Sequence, residues 1–163
     1  MLIGIMSDSH GRTKRVRQAL AVLDAAAVEA VVHCGDIGGL ETLDELAGRR
    51  CWFVWGNTDY PVPDWRAEVQ ALGLPWPDRP VEVELDGKRL AIYHGHEPGF
   101  RQAIQSGRFD YVLHGHTHRA ADTRVGSTRV INPGALHRAS VPTVAVLDTI
   151  TDDVQFLSLD GAG

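Results

Sequence analysis

The chain has 163 residues and a formal net charge of −5 at pH 7, with 44% hydrophobic and 23% charged residues. This length suits one domain, 1–163, and this balance is that of a globular protein rather than a disordered or fibrous one. The 16 Lys and Arg are scattered among 21 Asp and Glu. Charge alone therefore does not favour a nucleic-acid polymer as a partner.

The start of the chain and its cysteines bear on location. The apolar run MLIGIM ends at Ser7 and Asp8, which is too short for a signal sequence or a membrane span. We therefore expect a cytoplasmic protein that does not contact a membrane. Cys34 and Cys51 lie in runs typical of buried strands, and we expect reduced thiols rather than a disulfide.

The first half of the chain alternates apolar runs with helical patterns. The run LIGIMS is followed by helical spacing over 13–27, and AVVHC is followed by an amphipathic segment over 40–47 before CWFVW. His33 belongs to the second of these strands. Near-continuous apolar strands separated by helices predict a parallel sheet that is covered on both faces.

The second half predicts antiparallel strands. Asp86 and Gly87 give a two-residue hairpin signal between VEVEL and KRLAIYH. Five further strand-like runs follow, with one short helix near Phe100 to Gln105. With about nine strands and three or four helices, two packed sheets with outer helices fit better than one open sheet.

The segment 61–80 is rich in proline and contains Trp65 and Trp76. We interpret it as a surface excursion with one or two helical turns near 64–72. Its tryptophans either form a surface for a partner or substrate, or pack two aromatic rings against the core.

Polar side chains follow five of the predicted strands, at the edge where α/β sheets bind ligands. Asp8 and His10 are two residues apart after the first strand, so both would point to one side of an extended chain. Asp36 follows the second strand in a glycine-rich loop, and Asn57 follows the third. The imidazoles after two later strands are His94, His96, His114, His116 and His118.

Each candidate alone has an ordinary explanation, such as a helix cap for Asp36 or an Asx-turn for Asn57. A carboxylate, amide or imidazole at every one of these strand ends is better explained by a joint metal site. Oxygen and nitrogen ligands without thiolates suit Mn, Fe, Co, Ni or Zn. The candidates are too many for one ion. Two ions that share a carboxylate fit them, and such a pair clamps both oxygens of an in-line phosphoryl displacement.

The blocks DSH, GD, GN, HGH and GHTH occur in this order, each after a strand. They resemble the signature blocks of the calcineurin-like metallophosphoesterases. The short length and the INPG at 131–134 resemble the small phosphodiesterase branch, often called YfcE-like. This resemblance covers residues 1–150 and implies an α/β (α+β) fold, a four-layer αββα sandwich of two mixed β-sheets flanked by helices.

The resemblance also implies the chemistry of the site. The ligand sets that it implies are Asp8, His10 and His118 for one ion, Asn57, His94 and His116 for the other, and Asp36 as a bridge between them. A hydroxide held between the two divalent ions would attack a phosphate ester in line. Mn is the favoured metal, with Ni, Zn, Fe or Co as alternatives.

Many members of the superfamily carry a His directly after the Asn of the GN block, where it is thought to protonate the leaving group. Here that residue is Thr58. His96, two residues beyond His94, could serve instead, or could equally bond a loop carbonyl. The candidate catalytic residues are therefore His96, Asp36 and Asn57, and esters with good leaving groups are expected substrates.

Two further histidines, His114 and His137, have a supporting or an open role. If 114–118 is extended, alternation points His116 and His118 the same way and leaves His114 as a supporting residue. His137 follows Ala135, where the branch usually has Ser, and could reach the site or lie on the surface.

The leading hypothesis is a metal-dependent phosphoesterase that acts on a small phosphoester, as a diesterase rather than a monoesterase. The main alternative is a catalytically weak or inactive metal-binding scaffold for protein–protein interaction, as in the retromer subunit that resembles this family. The scaffold alternative predicts that metal-ligand residues have been lost, whereas a ligand residue is present at every predicted position here. A nuclease or phosphomonoesterase is a further alternative, with Arg12 as a candidate phosphate contact. An exposed sheet edge in the second half could form a homo-oligomer.

Overall fold

The computed structural model describes residues 1–160. Residues 161–163, the end of the predicted domain, lie outside the described residues. The elements in chain order are β1 (Leu2–Met6), α1 (Thr13–Ala25), β2 (Ala30–His33), α2 (Leu40–Asp44), β3 (Cys51–Phe53), α3 (Trp65–Ala71), β4 (Val81–Leu85), β5 (Lys88–Ile92), α4 (Phe100–Gln105), β6 (Tyr111–Leu113), β7 (Ala120–Val125), β8 (Thr128–Pro133), β9 (Thr143–Asp148) and β10 (Asp153–Ser158).

The strands form two mixed five-stranded sheets. The first sheet has the order β10-β9-β1-β2-β3, and the second has the order β4-β5-β6-β8-β7. In the first sheet β1, β2 and β3 are parallel, as predicted, while β9 and β10 return to it antiparallel. The described residues thus contain ten strands rather than about nine.

The prediction of antiparallel strands throughout the second half was wrong in part. The hairpin of β4 and β5 is present, but β5, β6 and β8 are parallel to one another. The reason is the connection, because α4 crosses over between β5 and β6 and returns the chain in its original direction. This arrangement brings the C-terminal ends of β5 and β6 to one edge.

Three apolar layers hold the four structural layers together. Helices α1 to α3 cover the outer face of the first sheet, where Val16, Leu20 and Leu23 pack against the core on the predicted face of α1. Ile5 and Ile92 lie in the layer between the two sheets. Helix α4 packs on the outer face of the second sheet. The predicted αββα sandwich is therefore confirmed.

The helices differ from prediction at their ends. Helix α1 ends at Ala25 rather than 27, because Ala27 takes a left-handed backbone with φ 56°. Helix α2 covers 40–44, and a turn replaces the rest of the predicted segment 40–47. Helix α4 has the predicted bounds.

The proline-rich segment 61–80 places its tryptophans against the core. Trp76 packs on the core of the first sheet, with its ring centroid 5.2 Å from that of Trp55. The ring of Trp65 lies 6.3 Å from the same residue. Trp76 therefore packs on the core, and a surface for a partner or substrate stays a prediction. Cys34 and Cys51 are buried and free, as predicted, and within residues 1–160 no helix is long and apolar enough to cross a membrane.

Candidate metal centre

The candidate ligands lie on five loops that leave the C-terminal ends of β1, β2, β3, β5 and β6. Backbone hydrogen bonds join these loops to each other. The amide of Asp8 donates to Gly35 O at 3.0 Å, and that of His10 donates to Asp36 O at 2.8 Å. Within the second sheet, the amide of Gly115 donates to the carbonyl of His94 at 3.0 Å. Across the two sheets, the amide of His116 donates to Asp8 Oδ2 at 3.2 Å. The two sheets therefore contribute to one shared edge.

The loops are left-handed, not extended. Several candidate ligands have a positive φ, namely Asp8 (56°), His10 (46°), Asp36 (54°), His116 (69°) and His118 (57°). The expectation that DSH and 116–118 are extended was therefore wrong, and alternation is not what orients these side chains. A left-handed backbone is uncommon outside glycine and costs of the order of 1 kcal/mol at each residue. Such strain is concentrated at functional sites.

One group of side chains could hold a single ion. Asp8, His10, Asp36 and His118 each offer one ligand atom, and these four atoms lie within 4.8 Å of one another. Asp8 Oδ1 is 3.1 Å from His118 Nε2, and His10 Nε2 is 3.6 Å from Asp36 Oδ2. We call these four residues the first cluster.

The first cluster contains buried polar atoms without a partner. Asp8 Oδ1 and His10 Nε2 are buried and make no hydrogen bond within the described part of the chain. His118 Nε2 is close to Asp8 Oδ1 but is not aligned as a donor. A buried carboxylate oxygen without a partner is costly. A divalent cation would satisfy both orphaned atoms, so these residues fit a metal ion.

A second cluster lies on the other side of Asp36. His94 Nε2 is 3.5 Å from Asp36 Oδ2 and 2.9 Å from Asn57 Oδ1. The ring of His116 lies 5.0 Å from that of His94. We call Asn57, His94 and His116 the second cluster. All seven predicted ligand positions thus come together, and Asp36 faces both groups.

The hydrogen bonds of His94 show why this cluster also suits a cation. Its Nδ1 lies 2.7 Å from Cys34 O, so Nδ1 carries a proton and donates to that carbonyl. In the neutral ring, Nε2 would then present a lone pair to the oxygens of Asn57 and Asp36. Burial lowers the pKa of His94, but the bond to Asp36 and the bond to Cys34 O outweigh it, and the pKa is raised. Because Nε2 faces two oxygens, it is stabilised when it binds either a proton or a metal ion.

Opposing effects also act on the other charged members. Burial raises the pKa of Asp36, but hydrogen bonds from His94 and from the Thr58 amide, at 2.9 Å, outweigh burial. The pKa of Asp36 is therefore held below its usual range. Burial lowers the pKa of His10, against the carboxylates of Asp36 and Asp8. At neutral pH a charged Asp36 carboxylate thus faces a neutral His10 imidazole, the protonation states that metal ligation requires.

Asp59 organises the loops and was not among the predicted site residues. Its Oδ2 accepts from the amides of Ile37 at 3.0 Å and Gly56 at 2.8 Å, and its Oδ1 accepts from Gly38 at 2.8 Å. One carboxylate therefore clamps the loop of Asp36 to the loop of Asn57. Its position two residues after Asn57 is typical of such backbone-binding residues and was a usable signal.

His33 and Ser9 form a second clamp. Ser9 Oγ donates to Ile37 O at 3.0 Å and lies 2.8 Å from His33 Nε2, while His33 Nδ1 accepts from the Gly35 amide at 3.2 Å. His33 Nε2 must therefore carry the proton and donate to Ser9. Burial, followed by the nearby His94, lowers the pKa of His33 to about 3. His33 is indeed a strand residue, but it also ties the first two loops together.

Glu97 and Asn132 support the loops from the second sheet. Glu97 accepts from the amides of His94 and Gly95, each at 2.7 Å. Asn132, from the INPG block, donates to Gly115 O at 2.8 Å and to Thr117 Oγ1 at 3.0 Å. The asparagine of that block therefore holds the loop that carries His116 and His118.

Two glycines are required by close approach. A Cβ at Gly56 would overlap the carboxylate of Asp36, and a Cβ at Gly115 would overlap Ser7 Oγ. A glycine directly before the candidate ligand thus lets the loops pack side by side.

The remaining candidates lie around these clusters. His114 packs against Phe100 with ring centroids 4.8 Å apart, outside both clusters. The ring of His96 is 5.4 Å from that of His94, and its side chain is 38% exposed. His137 lies at the opposite end, with its ring 5.9 Å from that of His10. Thr58 Oγ1 is 3.4 Å from His10 Nδ1, so it lies beside the first cluster.

Comparison with known proteins agrees with this geometry. Residues 1–152 match the calcineurin-like phosphoesterase superfamily domain. The chain therefore belongs to the calcineurin-like phosphoesterase superfamily, a family of metallophosphoesterase hydrolases. Among curated relatives, it is 33% identical over 157 residues to phosphodiesterase MJ0936 of Methanocaldococcus jannaschii, which covers 91% of this chain and 93% of the relative.

Solved structures share the fold. An archaeal phosphodiesterase superposes with a TM-score of 0.87 at 31% identity, over 97% of this chain and 99% of its own. The phosphoesterase Yfce of E. coli gives a TM-score of 0.68 at 20% identity, over 98% and 100% of the two chains. Vps29 of Entamoeba histolytica, solved with Zn²⁺, gives 0.71 at 21% identity, over 100% and 95%. The last two likenesses concern the fold alone.

Proposed function

We propose that the protein is a two-metal phosphodiesterase that hydrolyses a small phosphoester. The observation that carries this proposal is the position of Asp36, whose Oδ2 lies 3.6 Å from His10 Nε2 and 3.5 Å from His94 Nε2. One carboxylate thus serves two groups of ligand atoms. The similarity to a curated phosphodiesterase at 33% identity, and to a solved archaeal phosphodiesterase structure at 31% identity, supports a diester substrate.

The two clusters would each hold one divalent ion, with Mn favoured and Ni, Zn, Fe or Co as alternatives. When bound, such ions neutralise phosphate charge and make water acidic enough to act as a nucleophile for in-line attack at neutral pH. Asp36 would bridge the pair. Asn57 would supply a neutral oxygen, which keeps the site cationic enough to attract an anionic ester.

His96 is the side chain that we propose as donor to the leaving group. Its Nδ1 lies 3.7 Å from Glu97 Oε2, which leaves Nε2 to donate to an oxygen of the substrate. Thr58, in contrast, carries no group that is acidic enough for this role. A cytoplasmic location and a homo-oligomeric state stay predictions.

The test is hydrolysis by the purified, Mn²⁺-loaded protein. It should hydrolyse bis-p-nitrophenyl phosphate with a higher kcat/KM than p-nitrophenyl phosphate. Asp36→Asn should abolish this activity, whereas Asp44→Asn, on the exposed surface of α2, should leave it unchanged. Full activity in Asp36→Asn would contradict the bridging role. An inactive wild type with well under two ions per chain after Mn²⁺ incubation would instead favour the scaffold alternative.

A further inference from the structure

The two ends of the candidate metal centre differ in charge. At the end of the second cluster, His96 is paired with the carboxylate of Glu97. At the end of the first cluster lie Arg12, His137 and Arg138, none of which has a carboxylate within 4.0 Å in the part of the chain that the structure describes. Three basic side chains thus border the first cluster without a direct carboxylate partner among the described residues.

The loop that carries His137 is fixed to the loop that carries the first ligands. The amide of Leu136 donates to Ser7 O at 3.0 Å, and that of His137 donates to Asp8 O at 3.1 Å. The imidazole of His137 consequently stands 5.9 Å from the ring of His10. Arg138 follows with a left-handed backbone, φ 57°. The position of this loop relative to the first cluster is thus set by main-chain bonds.

Two arginines belong to the same two loops as His10 and His137. The amide of Arg12 donates to Ser9 O at 2.9 Å, which keeps Arg12 in the loop of His10. Arg138 directly follows His137. Both arginines therefore lie in the loops that border the first cluster. Some other arginines are paired with carboxylates, as Arg129 is with Asp122 and Asp152.

We propose that Arg12, His137 and Arg138 form a second anion subsite, which binds an additional phosphate group of a phosphodiester substrate. The inference rests on the proposed function, since the metal centre would hold the scissile phosphate. Guanidinium groups bind phosphate oxygens in a bidentate manner, and His137 adds a further donor. An asymmetric diester would then bind in one orientation, with its phosphorylated end toward His137 and its other end toward His96.

The expected preference is modest because both arginines are exposed. Each exposed charge pair contributes about twofold to fivefold in binding. Together they should give about a tenfold preference for a ligand with a second phosphate, which corresponds to about 1.4 kcal/mol.

Calorimetric titration of the Mn²⁺-loaded chain with thymidine 3′,5′-bisphosphate and thymidine 5′-monophosphate tests the subsite. The wild type should bind the bisphosphate about tenfold more tightly. In the double variant Arg12→Gln and Arg138→Gln this ratio should fall to about one. The matched control is Arg50→Gln, which removes the same charge at the opposite edge of the sheet, just before β3, and should retain the tenfold ratio.

Two outcomes overturn the subsite. One is a wild type that does not prefer the bisphosphate, including a wild type that binds neither nucleotide. The other is a preference that survives in the double variant. Parallel assays with bis-p-nitrophenyl phosphate, which lacks a second phosphate, separate the two proposals. Hydrolysis without the preference overturns the subsite alone, and the preference without hydrolysis overturns only the proposed function.

Discussion

Asp36 and His94 are joined across the two sheets, with His94 Nε2 3.5 Å from Asp36 Oδ2. Asp36 belongs to the loop after β2 in the first sheet, and His94 follows β5 in the second. The candidate centre therefore requires that the two sheets keep their relative position. Perturbing the loops that hold these residues should affect metal binding before it affects the fold.

His114 and His116 give a matched pair for the roles of the clustered imidazoles. The ring of His116 lies edge-to-face with that of His94 at 5.0 Å, whereas His114 packs on Phe100 at 4.8 Å. We expect His116→Ala to lower kcat/KM for bis-p-nitrophenyl phosphate by more than about 100-fold, and His114→Ala by about tenfold, as is typical of residues that only support ligands. Steady-state kinetics at saturating Mn²⁺ measure both. Equal losses of kcat/KM in the two variants would contradict the separate roles of His116 as a ligand and His114 as a support.

The Asp59 clamp should be needed for metal affinity. Asp59→Ala removes the acceptor of three backbone amides, those of Ile37, Gly38 and Gly56. Because the amides are left unpaired, we expect a loss of about 2 to 3 kcal/mol in the free energy of unfolding. We also expect a larger Mn²⁺ dissociation constant, that is, weaker metal binding. Urea unfolding and calorimetric Mn²⁺ titration provide the two readouts.

The control for Asp59 is Asp44→Ala, since Asp44 is exposed on α2. It should change the free energy of unfolding by less than about 0.5 kcal/mol. Wild-type Mn²⁺ affinity in Asp59→Ala would show that the loops hold their ligands without this carboxylate.

Neutral His33 should make stability depend on pH in a defined direction. Its pKa is about 3 in the folded protein and about 6.5 in the unfolded chain. Between these values the unfolded state binds the extra proton, so the folded state loses stability as the pH falls below about 6.5, by about 1.4 kcal/mol per pH unit. The effect should be absent above pH 7.

Comparison with His33→Gln isolates this contribution. The glutamine amide can still donate to Ser9 but does not titrate. Urea unfolding at pH 4.5, 5.5 and 7 should show a difference between the two proteins that shrinks as the pH falls. A difference that is constant over this range would mean that His33 titrates alike in both states.

The sequence predicted the strand ends well but not the backbone that they adopt. Buried runs fixed the first three strands, and the polar residues after them do meet at one edge. Asp8 and His10 are left-handed because their amides bond to Gly35 O and Asp36 O in the next loop. Hydrogen bonds between distant segments produce no periodic pattern in the sequence. This is why an extended chain was expected.

The supporting residues were hidden for the same reason. Asp59 resembles any turn residue until its carboxylate is seen to bind amides from the preceding loop. His33 has the pattern of a strand residue, and only its bonds to Ser9 and Gly35 reveal its second role. In the second half, the crossover through α4 made β5 and β6 parallel, which no local pattern distinguished from another hairpin.

The central claim is that Asp36 is shared by two metal ions. The most direct measurement is a crystal structure of the Mn²⁺-soaked protein with anomalous scattering at the manganese edge. We predict two peaks, one between Asp8, His10 and His118 and the other between Asn57, His94 and His116, both within bonding distance of the Asp36 carboxylate. A single peak, or two peaks of which one does not contact Asp36, would contradict the account.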